Sequence, residues 1–398
     1  MLNISSLHRK ENAAMATLKS LPNFEIDRLR HLLTLPSDAG VDVSKVKGNL
    51  LENIEKNDMY PYLLRLKEQL PIMSDVPPMD TLREANVKAL AELDEKIEFA
   101  EKNFGSSEVN DAVLEKANYY FKIGDHEKAV SQYELALGKI VGINSKLETI
   151  LGIIRVAFFF NDVPLLMKYM EIAKKDIENR GDWEMRNRLH IYEALQLIIC
   201  RKFKAAAELM LSSLSTFTAT ELITLDELVL YSIVLSLITM DRKTILTKVL
   251  ESPEVNQVAT EGSVLHHLIH DFYHCNYRNF MLNLVLTSEL IQKDRYLARY
   301  RGYFLRQARL PAYRQFLRPY KSVTIENMAN AFQLCPEFLE KELVSYISGA
   351  RLDCKIDRVN GIIENNVVDE RNNNYIETIR EGDLLLNRIQ KLSRVIDM

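Results

Sequence analysis

Glycine and proline are scarce in this sequence, 13 and 11 among 398 residues, about half the ~48 that average usage of ~7% and ~5% would give together. Turn-rich all-β architectures are thereby disfavoured. A glycine-rich phosphate cradle also lacks material: there is no G-x-x-x-x-G-K-[ST] loop and no G-x-G-x-x-G after a strand. H-E-x-x-H and G-x-S-x-G are missing too. The chain reads as non-enzymatic, with no catalytic, cofactor-binding or metal-binding residues expected.

An excess of cations is likewise missing. Lys and Arg number 51 against 55 Asp and Glu, a net charge of −4, whereas nucleic-acid binders need surplus cations to displace counterions from phosphates. The four cysteines, Cys200, Cys275, Cys335 and Cys354, form no C-x-x-C pair and read as buried thiols of a reducing compartment. The longest uncharged apolar run, Leu228 to Met240, falls short of the ~20 residues a bilayer requires. MLNISSLHRKENAAM at the start lacks the apolar core of a secretory signal. A soluble, intracellular protein with no membrane partner is expected.

What is present is helical periodicity. Hydrophobic residues make up 47% and charged residues 27%, enough apolar material for a packed core. Residues 1–76 hold helix-like segments broken by Pro22, by Pro36 with Gly40, and by Pro71, before the boundary at Pro77-Pro78. From Thr81 to Gly105 the spacing predicts one long amphipathic helix. In ANYYFKIGDHEKAVSQYELAL an aromatic-rich helix ends at Gly124-Asp125, and the next places Ala129, Tyr133 and Ala136 on one face. That small, large, small spacing is the mark of a tetratricopeptide-like hairpin. Similar polar turns recur at Asp162, Lys202, Asp241 and Asn276, in steps of 37, 40, 39 and 35 residues, each followed four positions on by Leu166, Ala206, Ile245 or Phe280. Residues from about 106 to 292 are therefore expected to form a right-handed stack of helical pairs.

From Val323 the pattern changes to a short helix, a turn near Cys335-Pro336 and a second helix ending at Gly349. Leu352, Cys354 and Ile356 then alternate with Asp353, Lys355 and Asp357 as in a half-buried strand, and Asn360-Gly361 can turn the chain into a partner at Ile362-Ile363. Helix, turn, helix and hairpin describe a winged helix. The last segment carries Leu385, Ile389, Leu392 and Ile396 at steps of 4, 3 and 4, an a/d stripe too short to be stable alone.

Two clusters invite chemistry. In HHLIHDFYHC, His266, His267, His270, His274 and Cys275 fall within ten residues, and two neighbouring histidines one turn apart could share a zinc ion with an outside ligand; a partly buried helix face is the preferred reading. Between Arg295 and Lys321, eight cations interleave with five tyrosines. Such a face suits RNA stacking, but Arg and Tyr are also interface residues, and a protein interface is the preferred reading. The second helix of the winged helix bears Glu337, Glu340 and Glu342 against Lys341, so groove insertion into DNA is not expected.

A repeat array running into a winged helix with GARLDCKIDRVNGIIE at its wing resembles the PCI-domain family, shared by the proteasome lid, the COP9 signalosome and translation initiation factor three. GDWEMRNRLHIYEAL from Gly181, STFTATEL from Ser215 and GDLLLNRIQKLSRVIDM from Gly382 occur in the order seen in its proteasome-lid branch. The resemblance covers about residues 80–398 and is most specific in the C-terminal third. It implies a mainly α chain: an N-terminal helical segment at 1–76, TPR-like repeats at 79–185, a helical-repeat part of the PCI domain at 186–318, its winged-helix part at 319–368, and a C-terminal bundle helix at 375–398. It further implies a scaffold subunit of the lid, supporting ATP- and ubiquitin-dependent protein degradation in cytoplasm and nucleus. Partners would be other PCI-domain lid subunits and the lid metalloprotease subunits, with contact to the ATPase ring left open. Leu352, Cys354, Ile356, Asp357, Ile362 and Ile363 would form the winged-helix interface, and Leu385, Ile389, Leu392 and Ile396 the bundle face. A first subunit of the COP9 signalosome and an RNA-binding PCI protein of the initiation-factor type are the alternatives.

Overall fold

The computed structural model describes residues 24–35, 42–73, 80–103, 105–140, 142–180, 182–260, 262–365 and 370–396. Contacts divide the chain into two compact units, the first running to His270 and resuming over Asn283–Leu305, the second made of Asp271–Leu282 and the residues from Arg306 on. Among the described residues no helix is long and apolar enough to cross a membrane.

The first unit opens with α1 (Phe24–Thr34), α2 (Val43–Lys56) and α3 (Tyr60–Gln69). It continues through α4 (Asp80–Asn103), α5 (Ser106–Ile123), α6 (His126–Lys139), α7 (Ile143–Phe160), α8 (Val163–Arg180), α9 (Trp183–Ile199), α10 (Phe203–Ser213) and α11 (Leu225–Thr239). From α4 to α11 each helix packs on its successor in the chain, as stacked helical hairpins must. The sequence motif behaves as its spacing predicts: Ala129, Tyr133 and Ala136 are buried, and Tyr133 lies so close to Gly152 that a Cβ there would meet its ring at 3.3 Å. From Leu147 to Phe159 every residue of helix α7 except Glu148 is buried, which makes it the centre of the unit.

All five turn markers stand one residue before a helix start, at Asp125, Asp162, Lys202, Asp241 and Asn276, and the apolar residue four positions on is buried in every case. Four of the five follow a residue in the left-handed region: Gly124 (φ 81°), Asn161 (59°), Arg201 (61°) and Cys275 (62°). The backbone closes identically each time, with the marker's N–H donating to a carbonyl five residues back, as from Asp125 to Tyr120 at 3.0 Å and from Asp162 to Ala157 at 2.9 Å. The turn at Asp241 lacks a left-handed residue. There α12 (Arg242–Ile245) gives way to a π-helical turn over Leu246–Leu250, followed by the short α13 (Pro253–Val258). The expected period is kept at this step, but the regular helix is not.

The N-terminal helices pack on the array. Phe159 is the hub, its ring 6.1 Å from Phe24, 5.2 Å from Tyr62, 6.2 Å from Phe121 and 5.1 Å from Phe160. Arg28 donates to Glu227 at 2.6 Å, and Arg295 pairs with the buried Asp27.

Helices α14 (Val264–Tyr273), α15 (Tyr277–Lys293) and α16 (Arg301–Leu317) contribute residues to both units. The second unit then adds β1 (Ser322–Thr324), α17 (Ile325–Phe332), α18 (Pro336–Ser348), β2 (Cys354–Asp357), β3 (Ile362–Asn365) and α19 (Glu370–Ile396). The antiparallel sheet has the order β1-β3-β2, with Val323 opposite Ile363 and Ile363 opposite Ile356. This is a winged helix, and β1 is its unforeseen strand: three residues with no apolar alternation leave no period to read. The cysteines also depart from expectation. Only Cys354 is buried, Cys200 is half-buried, and Cys275 and Cys335 are exposed, all four as free thiols, because two of them occupy turns instead of helix faces.

Candidate assembly surfaces

The wing is built around Asp357. Its Oδ1 accepts from the backbone N–H of Val359 at 3.0 Å and Asn360 at 3.4 Å, and its Oδ2 from the Asn360 amide at 2.8 Å. These donors, the Asn360 side chain foremost, hold its carboxyl below the usual range. Asp357 thus shapes the turn. Leu352, Cys354 and Ile363 are buried inside the module, while Ile356, Asp357 and Ile362 are half-buried. The edge strands of the sheet are β1 and β2, and at the wing tip Val359 is 93% exposed. Val359 escapes sequence reading because a lone apolar residue in a loop breaks no pattern.

Helix α18 is locked by a charge. Glu342 accepts from Arg309 Nε at 2.9 Å, Tyr313 Oη at 2.8 Å and Tyr346 Oη at 3.0 Å. Burial and this carboxylate push both tyrosines well above their ordinary pKa. Glu340 meets Arg358 of the wing at 3.0 Å. Phe338 and Val344 of the same helix remain exposed.

The Arg/Tyr stretch is not a continuous face. Arg295 is paired with Asp27, Arg301 donates to Gln292 at 2.6 Å, and Arg309 is bound to Glu342. Tyr300 and Tyr313 are buried, and Phe203 stacks on Tyr303 with centroids 5.4 Å apart. Much of what reads as an interface is therefore core, because a turn and the helix α16 that follows it direct different members of the stretch inward. The histidines are also dispersed: α14 ends at Tyr273, leaving His274 off the helix, and His266 stacks on His270 at 5.8 Å. Among the described residues no three His, Cys, Asp or Glu side chains are grouped to hold a metal ion.

Two motif segments meet in the first unit. Arg188 of GDWEMRNRLHIYEAL donates to Glu221 of STFTATEL at 2.7 Å and to Glu148 at 2.8 Å, and the Tyr192 hydroxyl donates to the same Glu221 oxygen at 2.8 Å. All three of Arg188, Tyr192 and Glu221 are buried, so these motifs serve packing.

Helix α19 is different from every other element. Each residue from Arg371 to Ile396 is exposed. Its large apolar side chains, Tyr375, Ile376, Ile379, Leu384, Leu385, Leu386, Ile389, Leu392, Val395 and Ile396, are 49–73% exposed. Leu385, Ile389, Leu392 and Ile396 lie together on one face, continued by Leu386, Ile379 and Tyr375. An apolar face of this length is not left in water by a helix that acts alone.

Comparison with known proteins bears on both surfaces. Residues 277–366 match the PCI domain, residues 75–248 match the family described as 26S proteasome subunit RPN7, and residues 375–396 match the 26S proteasome regulatory subunit RPN7/PSMD6 C-terminal helix. The 26S proteasome non-ATPase regulatory subunit 6 homolog of Arabidopsis thaliana is 40% identical over 367 residues, spanning 92% of this chain and 95% of its own. The chain belongs to the 26S proteasome non-ATPase regulatory subunit 6 family. Further members are the subunit 6 of Dictyostelium discoideum, 37% identical over 96% of this chain and 99% of its own, and regulatory subunit RPN7 of Saccharomyces cerevisiae, 30% identical over 100% and 98%. The exposed helix α19 coincides with the segment for which this family has a C-terminal match of its own.

Proposed function

We propose that this chain is a non-catalytic scaffold subunit of the proteasome regulatory-particle lid, supporting ATP- and ubiquitin-dependent protein degradation. The observation that carries the reading is α19, a 27-residue helix with its apolar side chains in solvent. Its stripe enters a bundle with apolar helices of other PCI-domain subunits, where each buried Leu or Ile contributes about 1.5–3 kcal/mol. The edge strands β1 and β2 extend the sheet by pairing with a neighbouring winged helix. Family membership supports a regulatory role, and the relatives from Oryza sativa and Dictyostelium discoideum are named non-ATPase regulatory subunits. The lid metalloprotease subunits are further partners, and the place of action is cytoplasm and nucleus.

Leu392→Asp, or removal of residues 383–398, is expected to leave the helical circular dichroism of the remainder intact while the chain fails to enter the lid. Recovery of the truncated chain in purified lid at normal stoichiometry would overturn the proposal.

A further inference from the structure

A cavity of about 330 Å³ lies in the first unit between the C-terminal half of α1 and the segment 294–300, lined among others by Asp27, Arg30, His31, Arg295, Arg299 and Tyr300. Three guanidiniums face one carboxylate, an excess of two positive charges. Asp27 is already engaged, with Arg295 on its Oδ2 and Arg30 Nε 3.5 Å from its Oδ1. Arg295 is engaged further by the carbonyls of Phe158 and Phe159, the latter at 3.3 Å, at the C-terminal end of α7. The nearby Asp294 is outside the lining; it accepts from the Tyr231 hydroxyl and from the N–H groups of Tyr296 and Leu297.

One guanidinium is left over. Arg299 is exposed at the mouth, with no carboxylate in ion-pair distance among the described residues. His31 also lines the space, with its Nε2 below the accessible surface. Arg30 and Arg299 come from two elements, α1 and the 295–300 segment, onto one space. A carboxylate presents two oxygens in a plane, whereas a phosphate monoester presents three in a tetrahedron and carries up to two charges. Guanidinium clusters match that group in charge and geometry.

We propose that this cavity binds a phosphate group, with Arg30 and Arg299 as its donors and Arg295 supplying further positive charge. The inference stands apart from the assembly reading, since the cavity shares no residue with the winged helix or α19. Inorganic phosphate and a phosphorylated side chain present the same chemistry, and the test separates them.

A ligand that binds the folded chain alone raises its stability. Thermal unfolding of the full chain would be followed at fixed low ionic strength with inorganic phosphate, O-phosphoserine or malonate added. A rise in Tm of about 2–4 °C is expected for phosphate, phosphoserine or both at about ten times the apparent Kd, growing with the logarithm of concentration. Response to phosphoserine alone assigns the site to a modified peptide, and response to phosphate alone assigns it to a free anion. Arg299→Glu is expected to weaken the apparent affinity at least tenfold, with Arg299→Gln intermediate and the exposed Arg186→Glu unchanged. No rise with either phosphate source, an equal rise with malonate, or an undiminished rise in Arg299→Glu would overturn the proposal.

Discussion

Arg188 and Glu221 show how much a single buried pair can decide. Burial alone would raise the Glu221 pKa, but the Arg188 charge, that of Arg155 and the hydrogen bonds from Arg188 and Tyr192 hold it below its ordinary value. A carboxylate lowered in the folded state contributes stability above its unfolded pKa of about 4.5, and that contribution is lost as pH falls through the folded value. Glu221→Gln is therefore expected to cost about 3 kcal/mol at pH 7, since it leaves Arg188 buried with an incomplete counter-charge. Urea unfolding at pH 7, 5, 4 and 3 should show the gap between wild type and variant steady down to about pH 4.5 and closing below it. A gap independent of pH would contradict this account. A second residue is limited by space: Gly124 sits at φ 81°, and a Cβ there would lie 2.6 Å from Tyr62 Cβ. Gly124→Ala should lose more than about 2 kcal/mol, adding backbone strain to the clash. Gly48, inside α2 with nothing within 4 Å, should gain about 0.5–1 kcal/mol on the same change. Thermal unfolding of the two variants should move in opposite directions.

At the scale of elements, the repeat turns were legible by position and not by conformation. Asp125 and Asp162 accept from the N–H three residues on, at 3.3 Å in both cases, and such caps leave a polar letter at the helix start. The left-handed residue before four of the five markers leaves a clear letter only where it is Gly124 or Asn161. At Arg201 and Cys275 the same conformation is imposed by the helices on either side, so nothing in the residue type announces it. Helix α19 is the converse case, fully legible in its stripe and exposed from Arg371 to Ile396. Isolated helices are marginal in water, and amides with no burial around them exchange through small openings. In the free chain, hydrogen exchange should be faster by several orders of magnitude for α19 than for the buried α7. Comparable protection in the two helices would mean that α19 is already packed.

For the molecule as a whole, the decisive contacts join positions far apart in the chain. Arg28 and Glu227 meet across 199 positions, and Asp27 meets Arg295 at almost no exposure. Burial raises the pKa of Asp27, partly offset by Arg295 and then Arg30. Arg295→Met would leave this carboxylate buried with one weaker partner, at an expected cost of about 3–5 kcal/mol. The double variant Asp27→Asn, Arg295→Met should cost less than the sum of the two single changes, and a double-mutant cycle by urea unfolding measures the coupling. Strict additivity would show that the pair does not hold α1 in place.

By itself the sequence determined the helical class, the spacing of the repeat turns, the wing hairpin and the apolar stripe of α19. Each of these is written in a short period, 3.6 or 2 residues, or in a capping residue beside the turn it closes. The tertiary structure alone decided that α1 docks beside Arg295, that Glu342 faces inward while Glu337 faces out, that Leu352 and Cys354 are core, and that β1 completes the sheet. Those outcomes depend on which charge or strand lies opposite across tens or hundreds of residues, and no local period carries that information.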